Sequence, residues 1–271
     1  MARVRFGIAL ANIGSYSDPR VAMRVAEAAE AGGWDGIFVW DHLAFAWGAS
    51  AADPWTVLAA IAATTERLRL GTAVTPVARR RPQVLANQVA TLDVLSRGRV
   101  ILGAGLGGSP AEFGKFGEPT EARERAARLD EGLALLHELW SGEEVRHHGE
   151  HFTVDGVTLA PTPIQNPLPV WIGGNRRASR HRAARWQGWL PDSSYPPGHG
   201  ASPNDVARGL EEIRGLRGGS TDGFDVAVLG ESRENESAAY ERAGATWWLE
   251  NVHDRRGTVD ELLELVRRGP A

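Results

Sequence analysis

The strongest constraint in this chain is an alternation. Short apolar, β-branched runs take turns with segments of helical periodicity from one end to the other, and no Ser/Gly/Pro linker breaks the series. Eight strand candidates stand out, at residues 4–10, 36–42, 69–75, 100–106, 168–174, 188–193, 224–229 and 245–251. Each is followed by a helix candidate, at about residues 19–32, 54–66, 82–96, 121–141, 175–186, 202–217, 234–243 and 258–268. Asp18-Pro19, Asp53-Pro54 and Ser202-Pro203 each supply a capping side chain and a proline at the first helical position, while Gly32-Gly33 and Gly244 stand where helices should stop. Eight parallel strands, each with its helix, close into an α/β fold of the (β/α)8 TIM barrel type more economically than they extend as a doubly wound sheet with two exposed edges. The 271 residues suit one such domain over 1–271. Residues 142–166 fit no βα unit: Glu144-Val145-Arg146 and His151-Phe152-Thr153-Val154 flank the turn-like His148-Gly149-Glu150, which predicts a hairpin inserted between helix 4 and strand 5.

Composition narrows the chemistry. The absence of cysteine excludes disulfides, thiolate nucleophiles, iron–sulfur clusters and Cys-based zinc sites together. Lys115 is the only lysine, so Schiff-base chemistry would hang on one residue in a glycine-rich loop. A net charge of −4 offers no electrostatic footprint for nucleic acid. The amino-terminal residues enter an amphipathic strand without the long apolar stretch of a signal peptide or membrane span, so the expectation is a cytoplasmic protein acting on a small molecule.

In barrels of this kind the active site lies at the carboxyl ends of the strands, so the residues there form the candidate list. They are Asn12; Trp40, Asp41 and His42; Ala73, Val74 and Thr75; the run Gly103-Ala104-Gly105-Leu106-Gly107-Gly108; and Gly173-Gly174-Asn175. His42 is the candidate acid or base, with Asp41 to orient it, although an Asp-His pair after a strand also caps loops. The glycine run formally matches G-x-G-x-x-G, yet Ser109-Pro110 follows and it stands on the fourth strand; it suits backbone approach to a flat ligand, or a tightly packed turn. Gly173-Gly174-Asn175 precedes a helix bearing Arg176, Arg177 and Arg180, a place for a phosphate or an ordinary strand-to-helix turn. His147, His148 and His151 fall in the hairpin without a carboxylate pattern and are expected at the surface, so no metal is expected. Trp40, Trp47 and Trp189 lie near strand ends, where an aromatic can stack on a ring. Asn12, Trp47 and Trp189 are the candidates for the substrate pocket.

Taken in order, Trp40-Asp41-His42-Leu43, Asp53-Pro54-Trp55-Thr56, Leu70 through Pro76, Gly98-Arg99-Val100 through Gly108, Glu112-Phe113 with Phe116-Gly117, and Pro169 through Asn175 resemble the bacterial luciferase-like monooxygenase superfamily over nearly the whole chain. The resemblance implies a barrel with an insertion and a flavin mononucleotide (FMN) or deazaflavin coenzyme (F-420) across its mouth. The Asp-His pair looks like the deazaflavin branch, which implies a cofactor contact for Asp41 and proton transfer for His42. It further implies a cis peptide at Ala73-Val74, a cofactor contact at Thr75, and cofactor-contacting backbone at Leu106-Gly107 and Gly173-Gly174, with the latter and Asn175 near the phosphate. Two features depart from that branch's sugar-phosphate dehydrogenases. Gly108 stands where they carry glutamate, and a chain whose only lysine is Lys115 lacks their substrate-phosphate lysines. Residues 191–203 also make a short Pro/Gly-rich loop after strand six, and the superfamily often forms dimers, which implies a homodimer here. The functional reading is hydride transfer between coenzyme F-420 and a small organic substrate. The alternatives are an FMN-dependent monooxygenase using molecular oxygen and a non-catalytic flavin-binding protein.

Overall fold

The computed structural model describes residues 3–43, 48–191, 200–231 and 236–270. Strand β1 (Arg5–Leu10) lies between β2 (Gly36–Val39) and β11 (Trp247–Val252). From β2 the sheet passes through β3 (Arg69–Thr72) with β4 (Thr75–Pro76), then β5 (Val100–Gly105), β8 (Val170–Gly173), β9 (Gly188–Leu190) and β10 (Asp225–Gly230), and returns to β11. All these pairings are parallel, and the contact of β3 with β5 closes a ring in which β3 and β4 share one position. The result is the eight-position (β/α)8 barrel. Strands buried on both faces explain why the sequence reads as continuous apolar runs rather than strict alternation.

The third strand differs from its prediction as a single element. Gly71 faces Ile101 and Thr75 faces Ala104, four steps along one strand against three along its partner. One extra residue is housed at Ala73-Val74, whose peptide bond is cis.

The helices α1 (Pro19–Ala31), α2 (Pro54–Thr64) and α3 (Pro82–Leu95) begin at predicted prolines or close to them. The Asp18 carboxylate accepts from the Arg20 amide at 2.9 Å and that of Asp53 from Thr56 at 2.8 Å. After the short α4 (Ala111–Gly114) come α5 (Ala122–Leu139), α6 (Arg177–Ala183), α7 (Pro203–Leu216), α8 (Glu236–Arg242) and α9 (Val259–Arg267). Reciprocal capping boxes, Ser202 with Asp205 and Thr258 with Glu261, start α7 and α9.

Two layers of core hold the ring. Between strands and helices lies the larger apolar layer, while Phe38, Ile101, Trp171, Trp247 and Leu249 fill the barrel itself. The Phe38 and Trp171 rings stack at 5.0 Å and Trp247 meets both edge-on. Gly188 makes room for them, since a Cβ there would lie 2.2 Å from Trp171 Cδ1. Arg99 is the main polar tie. Its guanidinium donates to the carbonyls of Ala62, Thr65 and Leu68 and to Thr65 Oγ1, all at 2.8–3.0 Å, which satisfies the carboxyl end of α2.

The insertion is an antiparallel hairpin of β6 (Val145–His148) and β7 (Thr153–Val157). Two of its histidines correct the surface assignment, because the hairpin docks on α5. The His147 ring lies between Glu131 (3.2 Å) and Glu138 (3.3 Å), and Glu131 also accepts the main-chain N–H groups of His151 and Phe152. Among the described residues no helix is long and apolar enough to cross a membrane.

Candidate active site

At the carboxyl ends of the strands opens a cavity of about 760 Å³, within the range of small-molecule sites. Its floor is the β3–β4 bulge. Ala73 and Val74 line it, and Val74 lies over three glycines: a Cβ at Gly105, Gly173 or Gly103 would come within 2.6, 2.9 or 3.3 Å of its methyl groups. The bare backbone of β5 and β8 thus lets the bulge settle flat against them.

One wall is a buried chain of charges. The Asp41 side chain is 0% exposed, and its Oδ1 accepts from Arg79 and from Arg80, each at 2.7 Å. Arg79 turns its other amine to Glu112 Oε2 at 3.1 Å, and Glu112 in turn meets His42 Nδ1 with both oxygens, at 2.9 and 3.0 Å. His42 therefore does not pair with Asp41, which corrects the expectation that Asp41 orients it. Arg79 comes from the 3₁₀ turn Val77–Arg79 and Glu112 from α4, small elements that periodicity does not reveal. The Trp40 ring lies 5.8 Å from that of His42.

The glycine turns form the next stretch of wall. Leu106, Gly107, Gly108, Gly173 and Gly174 all line the cavity, and Gly107 and Gly174 have positive φ, at +81° and +114°. Arg125, also in the lining, donates to the carbonyls of Leu106 and Gly107 at 3.0 Å and lies over the Phe113 ring, so it braces the turn. Burial is the main influence lowering the affinity of this guanidinium for its proton, with Glu121 acting against it. Arg176 lines the cavity, whereas Arg180 is engaged by the Asn175 carbonyl and by Glu212. The far wall is the turn after β11: His253, held by Glu231 at 3.1 Å, with Asp254, which accepts from the Ser15 amide at 3.0 Å, and Arg255.

The candidate residues are thus distributed unevenly. Asp41, His42, Ala73, Val74, Leu106, Gly107, Gly173 and Gly174 meet at one mouth. Four others do not line the cavity. Thr75 is fully buried and donates to Thr72 Oγ1 at 3.1 Å; Asn12 is buried and donates to the Ala52 carbonyl at 2.8 Å, tying the β1 turn to the entry of α2. Asn175 offers its carbonyl to Arg180. Trp189 lies in the core, with its indole N–H on the Gly174 carbonyl at 2.7 Å. Trp47 lies outside the described residues. Arg79, Arg80, Glu112, Arg125 and His253 join the site without being candidates on the sequence. The run Arg79-Arg80-Arg81 just past a strand end was the available signal, and Glu112 was visible only inside the family motif. Among the described residues no group of His, Asp and Glu could hold a metal ion.

A family model for the luciferase-like monooxygenases matches residues 5–269. The chain is 39% identical over 180 residues to the F-420-dependent glucose-6-phosphate dehydrogenase of Nakamurella multipartita, covering 64% of this chain and 52% of that protein. It spans about half the length of such curated relatives. Among solved structures, a monooxygenase from Streptomyces bottropensis is 28% identical with a TM-score of 0.71, covering 89% of this chain and 75% of its own. An F-420-dependent secondary alcohol dehydrogenase shares the fold at 18% identity, with a TM-score of 0.79 over 98% of this chain and 100% of its own. On a match that runs almost end to end along this barrel, the chain belongs to the luciferase-like monooxygenase family.

Proposed function

We propose that this protein is a deazaflavin-dependent oxidoreductase, which moves a hydride between coenzyme F-420 and a small organic substrate. The observation that carries the reading is Asp41. Among the described residues its Oδ2 is buried in the cavity lining with no hydrogen-bond partner, a costly state for a carboxylate oxygen unless a ligand donates to it. Beside it stand a flat floor at Ala73-Val74, two glycine turns and Arg176, a donor set that fits a planar ring carrying a polyhydroxylated, phosphorylated tail. The names of the curated relatives support the same coenzyme.

When bound, the deazaflavin supplies a two-electron hydride acceptor or donor. The remaining work falls to the chain. Asp41 would accept from the ring system, Val74 would support it from behind, and Leu106-Gly107 and Gly173-Gly174 would follow its tail. His42 would take the proton from the substrate heteroatom as the adjacent carbon gives up hydride, and return it in the reverse direction. Ile13, Ala49, Leu190 and Leu229 leave an apolar space for the substrate body. The reading carries with it one barrel domain over 1–271, a cytoplasmic location, a homodimer and no nucleic-acid partner; composition and resemblance are its support.

The test is anaerobic loss of F-420 absorbance with a panel of small alcohols, set beside titration with FMN. His42→Ala should lower turnover at least about 10²-fold, the lower range for a lost general base, with F-420 affinity little changed. Full turnover by that variant rejects the role. Binding of FMN with oxygen consumption, and none of F-420, would instead favour the monooxygenase reading, which the Streptomyces structure supports.

A further inference from the structure

We infer that Glu112 and Arg79 are positioning residues of the proton-transfer step, and that one guanidinium fixes both the proton carrier and the carboxylate that meets the cofactor. The inference rests on the functional reading above for what His42 and Asp41 do. Its geometry does not.

A neutral imidazole carries a single N–H, and the group facing each ring nitrogen decides which one keeps it. Both Glu112 oxygens lie within 3.0 Å of His42 Nδ1. A carboxylate only accepts, so Glu112 holds a ring proton on Nδ1 and the exchange with substrate falls to the other nitrogen, Nε2. The Asp41 carboxylate, despite its place in the chain, bonds to Arg79 and Arg80 instead.

Arg79 links the two functions. Its side chain is 2% exposed, and it spans from Glu112 Oε2 through one amine to Asp41 Oδ1 and the Asp41 carbonyl through the other. Glu112 is likewise 2% exposed. None of these groups has room to swing out into water. The rigid planar fork is what permits one side chain to serve two carboxylates; the point charge of lysine on a flexible stem cannot do so. A shift of Arg79 would therefore disturb His42 and Asp41 together, whereas Arg80 meets Asp41 and, at 4.0 Å, Asp53.

The experiment combines ¹⁵N NMR of the His42 ring in cofactor-free protein with F-420 titration and turnover of the full chain. Wild type should show the Nδ1–H tautomer. Glu112→Ala should lose that signature and at least tenfold in turnover, with F-420 affinity within about twofold. Should that variant fail to fold, Glu112→Gln keeps the volume, and its Nδ1 proton should lose the downfield shift of a charge-assisted bond. Asp41→Asn should weaken F-420 at least tenfold and leave the tautomer intact. Arg79→Lys should damage both readouts, turnover at least tenfold and affinity at least threefold. A wild-type proton on Nε2, or an Arg79→Lys variant that harms only one readout, overturns the inference. If wild type bound no F-420, the functional reading and the shared clamp would fall, while the tautomer still reports on Glu112.

Discussion

Replacing Gly105 by alanine puts a methyl group 2.6 Å from Val74 Cγ2, where two carbons prefer about 3.5–4.0 Å. The deficit is roughly 1 Å. Val74 cannot rotate out of the way, because its other methyl already lies over Gly173 and Gly103 and a β-branched side chain fills both directions at once. The displacement must pass to the main chain at Ala73-Val74, the floor of the cavity. Overpacking of this kind costs about 1–3 kcal/mol, and at about 2–4 °C per kcal/mol the melting midpoint should fall by roughly 2–12 °C. A ligand seat displaced by about 1 Å should cost turnover on the order of 10²-fold. Thermal melts, F-420 titration and turnover measure the three effects. The double variant Gly105→Ala with Val74→Ala should regain most of the midpoint but not the turnover, since the clash goes and the floor changes shape. Gly103→Ala is the harsher control: its Cβ would lie 1.9 Å from the Thr72 carbonyl oxygen, backbone that cannot turn aside, and no folded protein is expected. A Gly105→Ala protein that melts within 1 °C of wild type and turns over at the full rate would refute the reasoning.

Arg99→Ala leaves the carbonyls at the end of α2 without donors and should destabilise the protein by about 3 kcal/mol or more, read as a lower denaturation midpoint with the cavity chemistry otherwise intact. Glu131 makes the hairpin sensitive to acid. Burial pushes its carboxyl up, but the amides of His151 and Phe152, with the His147 ring, outweigh that and hold it below the ordinary 4.5. Its contribution is therefore complete above that ordinary value and fades as pH falls through the lower folded one. Amide exchange at His151 and Phe152 should lose protection at pH 3 relative to pH 6, and equal protection would count against this docking. Arg176→Gln should weaken F-420 about three- to tenfold, more at low salt than at high, while Arg180→Gln should lower stability through Asn175 and Glu212 and change binding less.

Much of the architecture was legible because its signals are local. A proline after an aspartate marks the first turn of α1 and of α2 by capping chemistry that involves only neighbouring residues. Apolar runs of strand length mark segments that must be covered on both faces, and eight of them leave a closed ring as the economical solution. The sequence by itself therefore assigns Asp41, Val74 and the glycine turns to one end of the barrel.

Only the tertiary structure could decide their partners. His42 and Glu112 are 70 positions apart and meet because β2 and β5 flank the same bulged strand position in a closed ring; chain adjacency pointed to Asp41 instead. Trp189 and Asn12 show the same limit, since a residue at a strand end can face the mouth or the layer behind it. A bulge of one residue exchanges those faces. Periodicity and caps are written in neighbouring residues, whereas the partner of a buried-site histidine is set by how the ring closes, which no short stretch of sequence contains.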